Sequence, residues 1–212
     1  MQIKKLVSLP SRTGRHLQRY NQGFRQVVGC IPYRIRETNK SSYGTLIEDL
    51  EVLLITSQKS PRMMFPKGGW ELDEDIELAA SRETLEEAGV VGLLGVRILE
   101  KLGEWIFKSK SQEKFHEGSM FPLLVTEELD VWPEKNVRQR IWMTVNEARE
   151  ACSQLWMKEA LEAFVGQFTP RPRLEEEQLA ASCRLALCRA EEIRLSIGSQ
   201  TVDEDVDRYL IS

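Results

Sequence analysis

The stretch from residue 65 to residue 90, FPKGGWELDEDIELAASRETLEEAGV, constrains this chain more than any other. The glycine pair at positions 68–69 follows a proline and a lysine, so we expect a turn there. Residues 74–88 are rich in alanine, leucine, glutamate and arginine and contain no proline or glycine, which favours a helix. We expect Asp73 to be the N-cap residue and Gly89 to end the helix.

Three carboxylates are predicted to share one face of this helix. Glu83, Glu86 and Glu87 stand at i, i+3 and i+4, offsets that place side chains one turn apart on the same side. One interpretation is a solvated acidic face with Arg82 as a partner. The other is a site for a divalent cation, which would remove the repulsion, since hard cations such as Mg²⁺ take oxygen ligands.

The same stretch resembles the signature of the Nudix hydrolases, G-x5-E-x7-R-E-U-x-E-E-x-G-U, where U is usually a bulky aliphatic residue. Eight positions fall in register over 23 residues: Gly68, Glu74, Arg82, Glu83, Glu86, Glu87, Gly89 and Val90. Thr84 stands at the first U position, a departure that concerns packing. So many fixed positions make the motif far more specific than a lone glycine pattern.

The resemblance implies an α/β fold, the Nudix α/β/α sandwich with a mixed β-sheet, and here a C-terminal helical extension. It implies hydrolysis of a diphosphate bond with Mg²⁺, or Mn²⁺ in its place. Glu83 and Glu87 resemble the main metal ligands, and Glu86 resembles a further ligand or the base that activates water. Glu74, Arg82 and Gly89 match signature positions that orient the turn and the helix.

Composition is that of a soluble globular protein. The chain has 212 residues, 42% of them hydrophobic and 29% charged, and a net charge of −4. That charge predicts no general affinity for nucleic acid, so capped RNA is the one nucleic-acid ligand that stays open. The four cysteines form no C-x-x-C pair, and no apolar run approaches membrane-spanning length. We expect a small polyphosphorylated partner and no membrane; the sequence does not indicate an oligomeric state.

The chain is predicted to have three parts: a basic N-terminal arm (1–19), a Nudix domain (20–168), and a linker, helix and mobile acidic tail (169–212). Two prolines in residues 169–173 mark the second boundary, and a helix is expected at 174–195. Within the domain, residues 57–62 read as a basic loop. Strands are expected at 24–35, 51–56, 120–126 and 141–145, and one helix or two short ones at 146–164.

The first acidic residue is Glu37, and eight lysines and arginines precede it. A basic start without acidic residues is typical of an organelle transit peptide, and also of a surface arm. The expected location is therefore the cytoplasm or the nucleus, with the mitochondrion as the alternative.

Residues outside the signature are expected to select the substrate. Cations before the glycines, in later loops and before a core strand would suit a densely phosphorylated anion if they converge. By resemblance to the diphosphoinositol polyphosphate phosphohydrolase branch, the substrate-binding residues are predicted to be Arg25, Lys67, Gly68, Gly69, Lys108, Arg138 and Arg140.

Two other functions stay open from the sequence. The first is a Nudix hydrolase for diadenosine polyphosphates, ADP-ribose, NADH or capped RNA, in which Trp70, Trp105 or Trp132 could stack a base. The second is a Nudix fold used only for binding, which the complete set of signature carboxylates argues against. His116 is expected to be a solvated side chain and not a catalyst.

Overall fold

The computed structural model describes residues 11–12, 14–36, 46–58, 60–95, 101–108 and 114–169. The chain divides into two compact units, Met1–Thr169 and Pro170–Ser212. The helix expected at 174–195 and the acidic tail lie outside the described residues, as do residues 1–10 of the arm. No helix in the described ranges is long and apolar enough to cross a membrane.

The described residues form nine strands, three α-helices and a 3₁₀ turn at Leu46–Asp49. The strands are β1 (Tyr20–Asn21), β2 (Phe24–Ile35), β3 (Leu50–Ser57), β4 (Ser60–Met64), β5 (Lys67–Gly69), β6 (Val90–Leu94), β7 (Gly103–Lys108), β8 (Phe115–Glu128) and β9 (Arg140–Thr144). The helices are α1 (Ile76–Ala88), α2 (Val145–Ala151) and α3 (Leu155–Gly166).

The sheet is mixed and is centred on β2. This strand pairs in parallel with β8 and antiparallel with β3 and β5. Its side chains alternate between two cores, as a strand covered on both faces requires. Val28 and Cys30 pack with Ala79 and Ala80 of α1. Ile31 and Tyr33 share the other core with residues of α2 and α3. The predicted mixed sheet between helices is confirmed.

Helix α1 begins later than the sequence indicates. Asp75, not Asp73, is the N-cap residue, and its side chain makes no capping bond. Glu74 cannot join the first turn because it is committed elsewhere: its carboxylate accepts from the Glu71 N–H at 3.2 Å and pairs with Arg82. The predicted end of the helix is confirmed, since Gly89 takes the left-handed conformation with φ of 65°.

The stretch at 57–62 is not a loop throughout, because Ser60–Met64 forms β4 along the edge of β3. Pro61 is tolerated there since an edge strand has no partner for every N–H group. Of the two alternatives for 146–164, the structure has the two short helices, the first of which is fixed by a capping box between Thr144 and Glu147.

Candidate active site

The glycine pair at 68–69, where a turn was expected, belongs to the short strand β5, which packs directly against the carboxylates of α1. A Cβ atom on Gly68 would lie 1.8 Å from Oε2 of Glu83, so only glycine lets the strand approach this side chain. A Cβ atom on Gly69 would lie 2.1 Å from Oε1 of Gln18. The Gly69 carbonyl accepts a hydrogen bond from Arg82 at 2.9 Å. The two glycines therefore bring the backbone of β5 against the helix.

Arg82 organises the carboxylates from within the protein. Its guanidinium donates to both oxygens of Glu74, at 2.8 and 2.7 Å, and only 5% of its side chain is exposed. It also donates to Glu83 at 2.9 Å and lies 3.5 Å from Glu86. A planar guanidinium with several donors suits this arrangement, which a lysine ammonium could not reproduce. Arg82, held by Glu74, thus connects β5 with α1.

The three glutamates predicted to carry the chemistry lie on one largely buried face. The side chains of Glu83, Glu86 and Glu87 are 13%, 11% and 8% exposed. Burial raises the pKa of Glu83 to about 7, with a further contribution from Glu87 and with Arg82 acting in the opposite direction. Burial also raises the pKa of Glu86 and of Glu87. The negatively charged form of each carboxylate is therefore less favourable here than in water.

Other parts of the chain reach the same face. Glu87 accepts from the backbone N–H of Lys67 at 2.7 Å and pairs with Arg138. Glu86 accepts from the backbone N–H of Arg12 at 3.3 Å, so part of the predicted N-terminal arm lies against the glutamates. Arg138 also pairs with Glu134, on the segment between β8 and β9. Glu134 in turn contributes to the raised pKa of Glu86 and of Glu87.

The chemistry of these donors fits a hard divalent cation. Buried carboxylate oxygens that repel each other gain from a cation between them, and oxygen is the ligand that Mg²⁺ prefers. Among the described residues, however, no three acidic, histidine or cysteine side chains are gathered as a ready ligand set. Arg82 and Arg138 pair with these carboxylates instead. Glu83, Glu86 and Glu87 are the residues that would hold the metal.

A cationic cleft of about 520 Å³ opens beside the glutamate face. Gly68 lies on its wall, and so do five lysines and arginines from five different segments: Arg25, Arg62, Lys67, Lys108 and Arg138. The structure therefore brings together four of the predicted substrate-binding cations, because β2, β5, β7 and the segment before β9 converge there. Arg62 adds a fifth, from the strand that the sequence indicated as a loop.

Two predicted substrate-binding residues do not line the cleft. Gly69 packs against Gln18 and Arg82. Arg140 donates to the carbonyls of Ala88 and Gly89, at 3.2 and 2.9 Å, at the end of α1, where the last carbonyls have no partner within the helix. Arg140 therefore holds the end of α1 and does not belong to the substrate-binding residues.

The expectation that the side chain of His116 is solvated is wrong. The residue is 8% exposed and lines the cleft, with its ring edge-on to Phe107 at 5.5 Å. Burial, followed by the charges of Arg25, Lys67 and Arg15, lowers its pKa. The strand that carries it starts at Phe115, five residues before the expected start. Residues 116–119, HEGS, show no alternation of apolar and polar residues, so no sequence signal places His116 inside.

The tryptophans considered for base stacking do not line the cleft. Trp70 lies under the guanidinium of Arg19 and donates to the Glu74 carbonyl at 3.0 Å. Trp132 lies under Arg140 and against Gly89. Trp105 packs against the core formed with α2 and α3. All three are explained by packing.

The fold and the site define an α/β protein with a mixed sheet between helices and buried carboxylates next to a cationic cleft. A family model described as NUDIX domain matches residues 38–164. This chain therefore belongs to the Nudix hydrolase family. It is an enzyme that acts on phosphoanhydride bonds, as members of that family do.

Relatives that match most of the chain agree with this assignment. Nudix hydrolase 17, mitochondrial, of Arabidopsis thaliana is 53% identical over 189 residues, which cover 89% of this chain and 100% of the relative. Nudix hydrolase 18, mitochondrial, of the same plant is 58% identical over 177 residues, covering 82% and 97%. Diphosphoinositol polyphosphate phosphohydrolase 3-alpha of Mus musculus is 35% identical over 130 residues, covering 60% and 68%.

Solved structures support the fold. A NUDIX hydrolase from Nitrosomonas europaea superposes with a TM-score of 0.51 at 17% identity, covering 70% of this chain and 93% of the other. At such low identity the likeness concerns the fold alone.

Proposed function

We propose that this enzyme cleaves the phosphoanhydride bond of diphosphoinositol polyphosphates with a divalent metal, Mg²⁺ or Mn²⁺. The observation that carries the proposal is the convergence of five cationic side chains on one cleft next to the glutamate face. Clustered cations in a cleft concentrate the field on a densely charged anion. The relationship to the mouse diphosphoinositol polyphosphate phosphohydrolase supports the same substrate class.

The residues of α1 and β5 have distinct roles in this proposal. Glu83 and Glu87 are the main metal ligands, and Glu86 is a further ligand or the base that takes the proton of the attacking water. Arg82 keeps the carboxylates in place, and Lys67, Gly68 and Arg138 lie where the cleft meets them. A bound metal would lower the pKa of its water and neutralise charge on the phosphate that leaves.

The substrate test compares specificity constants. Purified enzyme with Mg²⁺ is assayed against a diphosphoinositol polyphosphate, a diadenosine polyphosphate, ADP-ribose, NADH and capped RNA at two salt concentrations. We expect the inositol compound to be cleaved best. We also expect its KM to rise with salt, because a ligand that is held by charge and has no base to stack is screened by added ions.

Two variants connect this result to the cleft. Lys67→Ala and Arg62→Ala should each raise KM for the inositol compound by about tenfold, the usual scale for a lost charged hydrogen bond. Lys158→Ala removes an exposed lysine of α3 that does not line the cleft and should leave KM unchanged. A nucleotide substrate that wins clearly, with KM unaffected by the cleft variants, would overturn the substrate proposal.

We also propose that the chain is imported into mitochondria, in place of the cytoplasm or the nucleus. The names of two relatives at 53% and 58% identity include the word mitochondrial. The acid-free, basic start of this chain has the composition of a transit peptide. A fluorescent protein preceded by residues 1–19, the predicted arm, should enter mitochondria in plant cells. Cytosolic fluorescence from this fusion would show that the start is a surface arm.

A further inference from the structure

Three strands place one histidine in the middle of the cationic cleft. Arg25 of β2 pairs with His116 of β8, which in turn pairs with Phe107 of β7. All three line the cleft and so form a row across the sheet on one face. At the pair of Val27 and Gly118, two residues further along, the glycine lets the ring of Phe107 lie over the strand, since a Cβ atom there would be 2.8 Å from Cε1 of Phe107. The imidazole therefore lies between a guanidinium and an aromatic ring on the wall of the cleft.

The charged groups that act on His116 from neighbouring elements are all positive. They are Arg25 of β2, Lys67 of β5 and Arg15 of the segment before β1, and with burial they lower its pKa. Lys108 of β7 lines the same cleft. On its own strand, the neighbouring Glu117 is directed away by the alternation and accepts from Gln26 at 2.7 Å. Without ligand, the cations around it favour the neutral imidazole.

A phosphorylated ligand reverses this balance. Phosphate groups in the cleft place negative charge next to the ring, which favours the imidazolium form, and the imidazolium has an N–H donor at each nitrogen. Since the ring is within the cleft wall and largely removed from solvent, the effect of these charges is weakly screened.

We propose that His116 is a phosphate-binding residue of the cleft that takes up a proton from solvent when a polyphosphorylated ligand binds. This inference rests on the proposed function for the class of ligand. Binding and protonation are one event here, so the cleft gains a positive charge only when an anion is present. A compact ligand with many phosphates gains more from this charge than a ligand with few.

The direction in which ligand binding changes the pKa of His116 determines how proton uptake depends on pH. Binding raises the pKa of His116 above its lowered value in the free enzyme, so proton uptake is largest between the two values. Uptake falls toward zero at more acid pH, where the ring is already protonated, and at more alkaline pH, where it stays neutral in both states. The contribution of His116 to the affinity, measured as the difference between the unaltered enzyme and His116→Gln, should therefore increase as pH falls from about 8 to 6, the range in which histidine titrates.

Titration calorimetry tests the proposal with inositol hexakisphosphate, which has no diphosphate bond and serves as an uncleaved probe. Binding at about pH 7 is measured in buffers that differ in ionisation enthalpy, which gives the number of protons taken up. The phosphates of the probe also titrate near this pH, so the difference between two proteins is the quantity that reports on His116. We expect the unaltered enzyme to take up a fraction of a proton more than His116→Gln does. His116→Gln should also weaken binding by about tenfold, as expected for a lost charged hydrogen bond.

The chain contains one other histidine, which provides a matched control. His16 is exposed and does not line the cleft, so His16→Gln should leave both uptake and affinity unchanged. If His116→Gln fails to fold, the two imidazole signals of the unaltered enzyme, assigned with His16→Gln, can be titrated by NMR with and without the probe. The signal of His116 should titrate at higher pH in the presence of the probe.

The calorimetric and NMR measurements can each contradict the proposal for His116. Equal proton uptake by His116→Gln and the unaltered enzyme, or an unchanged titration of His116 with the probe bound, would overturn the proposal. The substrate proposal fails separately, in the turnover assay, because calorimetry with an uncleaved probe does not depend on which diphosphate bond is hydrolysed.

Discussion

Replacing Glu87 by glutamine should reduce turnover at least about a hundredfold, the scale expected when a group that stabilises the transition state is removed. Glutamine keeps the size of the side chain but removes the negative charge that a divalent metal needs. Binding of Mn²⁺, followed by electron paramagnetic resonance, should weaken in parallel. This second measurement separates loss of the metal site from a defect in substrate binding.

The fold should survive Glu87→Gln with a modest loss of stability. One oxygen of Glu87 accepts from the N–H of Lys67 and the other from Arg138, so a glutamine amide would place a donor against one of these donors. Such a mismatch costs about 1–3 kcal/mol. The weaker repulsion from the neighbouring glutamates offsets part of this. Thermal unfolding should therefore show a folded variant with a lower Tm.

Glu77 provides the control for this experiment. It is on the same helix, in the first turn, and its side chain is exposed. Glu77→Gln should leave turnover, Mn²⁺ binding and Tm unchanged. Full turnover of Glu87→Gln in Mg²⁺ would disprove the metal assignment, whereas an unfolded variant would indicate that Glu87 is mainly structural.

Replacing Arg82 by glutamine should have the largest effect on stability. Arg82 and Glu74 are 5% and 1% exposed, and Glu74 has no other cationic partner among the described salt bridges. Removing one member of a buried ion pair leaves the other charge uncompensated and costs about 3–5 kcal/mol. This is a large fraction of the stability of a domain. Urea unfolding without metal should show the loss.

An exposed ion pair with the same two-bond geometry connects α2 and α3. Arg149 donates to both oxygens of Glu162, at 2.7 and 2.9 Å, but the two side chains are 37% and 53% exposed. Arg149→Gln should cost less than about 1 kcal/mol because water replaces the lost partner. Equal losses for Arg82→Gln and Arg149→Gln would show that burial does not give Arg82 its importance.

The sequence by itself determined the features whose causes are local. The spacing of Glu83, Glu86 and Glu87 and the stop at Gly89 each depend on residues within one or two turns of each other. The extent of β2 followed from β-branched and apolar residues and was correct at both ends. These features were enough to identify the family, because its signature is a continuous stretch of chain.

Only the tertiary structure decided which of the predicted cations line the cleft. Arg138 and Arg140 are two residues apart, yet Arg138 pairs with Glu87 and lines the cleft while Arg140 holds the end of α1. The start of α1 was also decided at a distance, by the pairing of Glu74 with Arg82. His116 became part of the cleft because β2 and β7 flank it. A cleft built from several strands depends on contacts between distant residues, which local sequence patterns do not encode.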